Sequence, residues 1–286
     1  MPDGDGVERI QLRDGRGLAF AEWGDPAGQP LFLFHGAYGS RFERPPDDEL
    51  TAFGGVRLLT VDRPGHGASD LQPGRQISAW ADDVGELADA LGLDRFALLG
   101  WSQGGAYALA CAHALADRVT RVLVSGSVAP LDRAPVPREW RVFVRLFQVA
   151  PWLMGARLRV MRRRLECDAE AFVDRAHLRA AACDREIAAR PDIRGMLASS
   201  FREGFRPGVR GIARSGLLNL RPWDFDPAEI QPEVHVWHGD ADRNTPISFA
   251  HWLERTLPRA NVRIFPGEGH YVALTHWPEA LELLLT

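Results

Sequence analysis

Short apolar runs, each bounded by charge or glycine, recur along the first half of this chain at the length of a single buried strand. Val7 to Leu12 and Gly17 to Trp23 flank an Asp14-Gly15 turn signal and predict a hairpin. Pro30 to His35 and Val56 to Val61 are almost wholly apolar, as strands covered on both faces are. Between Ile77 and Leu91 the period changes. Ile77, Trp80, Val84, Leu87 and Leu91 share one helical face, acids occupy the other, and Ser78 is placed to cap the helix. Phe96 to Leu99 reads as a strand again, Ala106 to Cys111 as the start of a packed helix, and Val119 to Ser125 as the next strand.

From Pro130 to Leu220 the strand-like runs vanish. Helical runs rich in Arg, Ala and Leu replace them: Trp140 to Val149, Leu158 to Leu165, Ala169 to Ala189 and Ile212 to Leu220. Strand character returns at Glu233 and again at Val262. The chain therefore divides into a core, residues 1–129 and 221–286, and an insertion, residues 130–220. The insertion carries 18 arginines against 10 acids, a balance of +8 that leaves the remainder at −12. Such a contrast aids docking of the two parts or gives an electropositive entrance that favours a carboxylate-bearing substrate.

Two junctions are chemically pointed. Gly100-Trp101-Ser102-Gln103-Gly104 has the form G-x-S-x-G and lies between a strand and a helix with almost no loop. A turn that tight forces Ser102 into an exposed, strained conformation with the helix N-terminus behind it, where a developing alkoxide is best tolerated. Its flanking residues must be small because strand and helix backbones pass close together. The strand before His35-Gly36-Ala37-Tyr38-Gly39-Ser40 ends in glycines that free backbone N–H groups to point into a cavity, and Ala37 N–H is a candidate oxyanion donor. Asp62-Arg-Pro-Gly-His-Gly-Ala-Ser69 is a shaped loop in which Asp62 and His66 read as structural.

Composition narrows the chemistry. The 286 residues suffice for a sizeable core, and 45% hydrophobic with 25% charged residues is ordinary for a globular protein. A net charge of −4 points to neither nucleic acid nor membrane, no apolar run has the length of a membrane span, and the acidic opening Met1-Pro-Asp-Gly-Asp-Gly is unlike a signal peptide. A cytoplasmic location is the expectation. Cys111, Cys167 and Cys183, odd in number, predict reduced thiols, and Cys111 a packing role. All 34 basic residues are arginine, which excludes a lysine Schiff base, a pyridoxal-phosphate linkage and a phosphate-loop lysine. No cofactor is expected.

With His35-Gly36, Asp62 to Ser69 and Gly100 to Gly104 at successive strand ends, the chain resembles the α/β-hydrolase fold superfamily. Two further stretches extend the resemblance: Glu233-Val-His-Val-Trp-His-Gly-Asp-Ala-Asp-Arg-Asn-Thr-Pro246, and Val262-Arg-Ile-Phe-Pro-Gly-Glu-Gly-His270. It implies an α/β fold, a mostly parallel twisted sheet flanked by helices, with the insertion as a helical cap over the active site. It also implies partners in the order Ser, acid, His. Ser102 is then the nucleophile, His270 the general base and acid, and Asp242 the orienting carboxylate. Asp240 competes with Asp242, and Asp132 is a remote third choice. The oxyanion donors are the N–H groups of Ala37 and Gln103, and Tyr38 and Trp101 shape the acyl pocket. His235 and His238, with Asp240 and Asp242, have a metal-like composition, but residues three apart on a strand face opposite ways, so no metal is expected.

A serine hydrolase acting through an acyl-enzyme on a small-molecule carboxylic ester, thioester or lactone is the leading expectation. A serine at 102 in place of aspartate argues against alkyl-enzyme chemistry. A carbon–carbon bond hydrolase, a perhydrolase or a lyase would use the same triad. A ligand-sensing module on this fold is the alternative from another class.

Overall fold

The apolar runs become one eight-stranded sheet in the computed structural model, which describes residues 7–47, 51 and 54–285, with the side chains of 139 and 143 left aside. The acidic opening stretch lies outside the described residues. The strands are β1 (Glu8–Gln11), β2 (Gly17–Gly24), β3 (Gln29–Phe34), β4 (Val56–Val61), β5 (Phe96–Trp101), β6 (Val119–Ser125), β7 (Val234–Gly239) and β8 (Ala260–Phe265). Their order is β1-β2-β4-β3-β5-β6-β7-β8; β2 is antiparallel to both neighbours and all other pairs are parallel.

Period-two alternation builds a core on each face of the sheet. Phe32 and Phe34 of β3 and Phe96 and Leu98 of β5 join one cluster, against helices α1 (Trp80–Ala90) and α2 (Gly104–Ala114). Leu31, Leu33, Ala97 and Leu99 join the other. This explains why the central strands read as continuous apolar runs: both faces are covered. Cys111 is fully buried among the α2 packing residues.

Ser78 does not cap α1. The helix starts with Ala79 in the cap position and no side-chain cap. Asp224, far along the chain, accepts the Ser78 hydroxyl and the N–H groups of Ile77 and Ser78, so the hydroxyl is engaged away from the helix.

Between β6 and β7 lie six helices: α3 (Arg138–Val149), α4 (Trp152–Cys167), α5 (Ala169–His177), α6 (Ala182–Ala189), α7 (Pro191–Gly204) and α8 (Arg210–Asn219). The run Ala169 to Ala189 is two helices, not one. The chain turns after His177, where Ala180 N–H bonds back to the His177 carbonyl. Helix α7 is absent from the sequence expectation, although Pro191 opens it in the position where a missing N–H costs nothing. Charge contacts between insertion and core run both ways. Arg41 of the core meets Glu203 of α7 at 2.7 Å, and Arg133 of the insertion meets Asp226 at 2.9 Å. Helices α9 (Ile247–Thr256), α10 (Val272–Thr275) and α11 (Trp277–Leu285) complete the chain.

Candidate active site

The turn from β5 into α2 leaves Ser102 at φ 55°, the only positive φ on a non-glycine among the described residues. That conformation costs an L-residue about 1–2 kcal/mol. It is held because Ser102 N–H donates to Ser125 O at 2.9 Å and Gly105 N–H closes the turn onto Ser102 O at 3.1 Å. Gly104 is obligatory: a Cβ there would run into the carbonyl of Phe34 on the neighbouring strand. Ser102 thus stands half-buried at the carboxyl edge of the sheet, its hydroxyl hydrogen-bonded to no other side chain among the described residues.

His270 and Asp242 come together from the ends of β8 and β7. Asp242 Oδ2 lies 2.7 Å from His270 Nδ1. The same oxygen accepts the Thr245 hydroxyl at 2.8 Å, and Oδ1 accepts the N–H groups of Asn244 and Thr245 at 2.7 and 3.0 Å. Burial alone would raise the Asp242 pKa, but the His270 ring and these donors outweigh it and lower it to about 2. Burial likewise presses the His270 imidazole toward its neutral form, yet the Asp242 carboxylate prevails and the ring titrates above its ordinary value. Nδ1 is engaged by Asp242, so Nε2 is left for the cavity. Asp240 does not compete: its carboxylate accepts Gly267 N–H at 2.7 Å at the surface. Asp132 is likewise exposed.

Ser102 and His270 line one cavity of about 320 Å³, together with Ala37, Gln103, Tyr38 and Trp101. Among the described residues the N–H groups of Ala37 and Gln103 donate to no protein acceptor, so both are available to an oxygen at Ser102. The loop carrying Ala37 is shaped by a buried guanidinium. Arg63 donates to the carbonyls of His35 and, at 2.6 Å, of Gly36. Asp62 binds Arg41 and the N–H of Ala68, while His66 sits between Gly39 O and Ser215 Oγ, so neither reaches the Ser102 cavity. Tyr38 lines the cavity and accepts from Arg157 at 3.0 Å. Trp101 has a second task, since its indole N–H donates to His270 O at 3.1 Å.

Two carboxyl groups near His270 have no counterpart in the sequence expectation. Glu43, 2% exposed, lines the cavity and accepts Gly36 N–H; burial pushes its pKa up to about 7 against the pull of that donor. Asp184 of α6, 0% exposed, accepts His270 N–H at 2.7 Å. Neither lies in a motif, and each sits among other charged residues, so nothing in the sequence marks them out. His235 is beside Glu233 and His238 beside Asp242, so the two histidines serve different neighbours.

Known proteins resemble this chain in sequence and in fold. The chain is 29% identical over 244 residues to a pimeloyl-[acyl-carrier protein] methyl ester esterase of Aromatoleum aromaticum, covering 81% of this chain and 86% of that one. It is 27% identical over 224 residues to a 2-hydroxymuconate semialdehyde hydrolase of Pseudomonas putida, covering 77% and 72%. An α/β hydrolase fold protein from Nakamurella multipartita superposes with a TM-score of 0.71 at 20% identity, over 97% of this chain and 98% of that one. Residues 31–282 match the profile of the alpha/beta hydrolase family, a span that runs from β3 into α11 and takes in the inserted helices. The sheet from β3 onward, the turn at Ser102 and the insertion fall within that single match: this chain is a member of the alpha/beta hydrolase family.

Proposed function

We propose that the protein is a serine esterase that cleaves a small-molecule carboxylic ester through an acyl-enzyme. The observation that carries this reading is the His270–Asp242 pair, 2.7 Å apart, opening onto the cavity that Ser102 also lines. An alcohol is a weak nucleophile at neutral pH, and here an imidazole with a free Nε2 stands ready to take its proton. Ser102 Oγ attacks the ester carbonyl while the proton passes to His270. Ala37 and Gln103 N–H groups receive the oxyanion, a contribution of about 3 kcal/mol to the barrier for each donor. His270 then protonates the departing alcohol, and a water activated by the same ring releases the acid.

The helices between β6 and β7 act as a lid, residues 130–220, over a core formed by the rest. They line the cavity with Met154, Leu158, Leu197, Phe201 and Ile212, a mostly apolar wall suited to an acyl chain. Arg157 at the exposed end gives a carboxylate on the substrate a partner, and Glu43 at the buried end repels one, so an anionic group is oriented outward.

The test is turnover of a series of p-nitrophenyl esters by wild type and Ser102→Ala. A loss of about 10⁵-fold in kcat is expected, with a fluorophosphonate adduct on Ser102 in the wild type. Slow hydrolysis indifferent to the substitution sinks the esterase and favours a receptor. A second reading has two relatives behind it, the 2-hydroxymuconate semialdehyde hydrolase and a 2-hydroxy-6-oxo-2,4-heptadienoate hydrolase. A substrate whose carbon–carbon bond beside a carbonyl takes the place of the ester bond, turned over faster than any ester, would shift the assignment to that chemistry.

A further inference from the structure

The loop that carries His270 is gripped from the lid. Asp184 reaches out of α6 and accepts the backbone N–H of His270 at 2.7 Å. Its carboxylate occupies the space where a Cβ on Gly269 would stand, so the glycine before the histidine exists to admit this contact, not to loosen the loop. One residue further, Tyr271 is held by a second lid helix. His177 at the end of α5 donates Nδ1–H to Val173 O at 2.7 Å, which leaves its Nε2 to accept the Tyr271 hydroxyl at 2.5 Å. From the opposite side Trp101 of β5 donates to His270 O. The backbone N–H of His270 thus belongs to the lid and its C=O to the core.

We propose that Asp184 is a positioning residue for His270, through which the packed lid holds the histidine loop in register with Ser102. The inference rests on the esterase reading, in which His270 is the base. The carboxylate spends two roles there. It fixes the peptide that aims the ring, and it adds a negative charge beside an imidazole that must cycle through its cationic form. Asp184 is fully buried, and its Oδ2 makes no well-formed hydrogen bond, an arrangement that costs stability. The groups facing His270 are Asp242 and His238 from the β7 end, Asp184 and His177 from the lid, and Glu43 from the loop after β3. Burial disfavours the charged ring; Asp242 is the main opposing influence, with Asp184 and Glu43 adding to it. Removing one of those charges lowers the His270 pKa and moves the acid limb of activity to lower pH.

The experiment uses the full chain with Asp184→Asn and Asp184→Ala. Three readouts are taken: the pH profile of kcat/KM on a p-nitrophenyl ester, kcat per fluorophosphonate-reactive site, and the His270 ring titration by NMR of 15N-histidine-labelled protein. Asparagine keeps an acceptor for His270 N–H and loses the charge, so the acid limb and the ring titration should both fall by about half a pH unit with kcat within roughly fivefold. Alanine loses the acceptor as well, and kcat per reactive site should drop by about 30-fold with KM little changed. Asparagine and alanine variants that both keep the wild-type limb, ring titration and kcat per site would overturn the proposal. Should alanine fail to fold, an unmoved limb and ring titration in the asparagine variant alone would do so. Ser102→Ala runs in parallel: if it retains activity, the esterase reading itself falls, an outcome distinct from a working triad that ignores Asp184.

Discussion

Ser102 and His270 border the same cavity, but the turns that carry them are held by different means. The serine turn is self-sufficient. Strand β5, helix α2 and a glycine with no room for a Cβ force its shape, and every constraint lies within a few residues or on the adjoining strands. The histidine turn has no such autonomy. Its ring is set by Asp242 from another strand end, its carbonyl by Trp101, and its N–H by Asp184 from the inserted helices. A nucleophile can be built by local sterics because it needs one rigid, strained conformation. In the proposed mechanism, a base that must swap protons between Ser102 and a leaving group needs its orientation and its charge tuned, and tuning calls on distant partners.

The comparison breaks most visibly at Asp242. Asp242→Asn should leave the fold intact and cut kcat by about 10⁴-fold, because an amide opposite Nδ1 favours the wrong tautomer. Steady-state kinetics beside an unchanged circular dichroism spectrum would check it, and a loss below tenfold would mean the histidine is oriented without its acid. The serine side should fail differently. Gly104→Ala drives a methyl group into the Phe34 carbonyl and should cost about 3 kcal/mol, roughly 5 °C in melting temperature for a chain of this size. A thermal melt unchanged by that substitution would show the turn to be less constrained than its geometry indicates.

The smallest effect sharpens the picture of the histidine's surroundings. Wild-type activity should rise with pH as His270 loses its proton, with a midpoint above the ordinary imidazole value of 6.5. Glu43 titrates at about 7 in the same cavity, so the limb should be broader than a single ionisation gives. Glu43→Gln keeps an acceptor for Gly36 N–H and removes the charge. The limb should then narrow to one proton and shift down by a few tenths of a pH unit. A profile identical to wild type would separate Glu43 from the proton traffic.

What was legible in the sequence follows the same division. The strands announced themselves as apolar runs because the sheet is covered on both faces. The turn at Ser102 was legible because small residues at fixed offsets have one steric use. The family resemblance preferred Asp242 over Asp240, and Asp242 is the one at 2.7 Å from His270. Ser78 looked like a cap, but Asp224, 146 residues away, draws its hydroxyl off the helix. The break after His177 carries no glycine or proline, since the turn there lets His177 reach Tyr271. Glu43 and Asp184 were silent for the same reason: an acid whose partner is a backbone N–H group leaves no periodic trace, whether that partner is in the same loop or in another segment.

Strands β6 and β7 are direct neighbours, Val122 beside Val234 and Ser125 beside Trp237, so the inserted helices leave and rejoin the sheet at adjacent ribbons. On topology alone that makes them an exchangeable cassette, and grafting one from a relative is an obvious way to retarget such an enzyme. The Asp184 contact says the cassette is not neutral freight. A transplanted set of helices without a carboxylate opposite Gly269 would bring its own binding walls and leave the recipient's histidine loop unclasped, so that grafts should be screened for this one acid before their new specificity is judged.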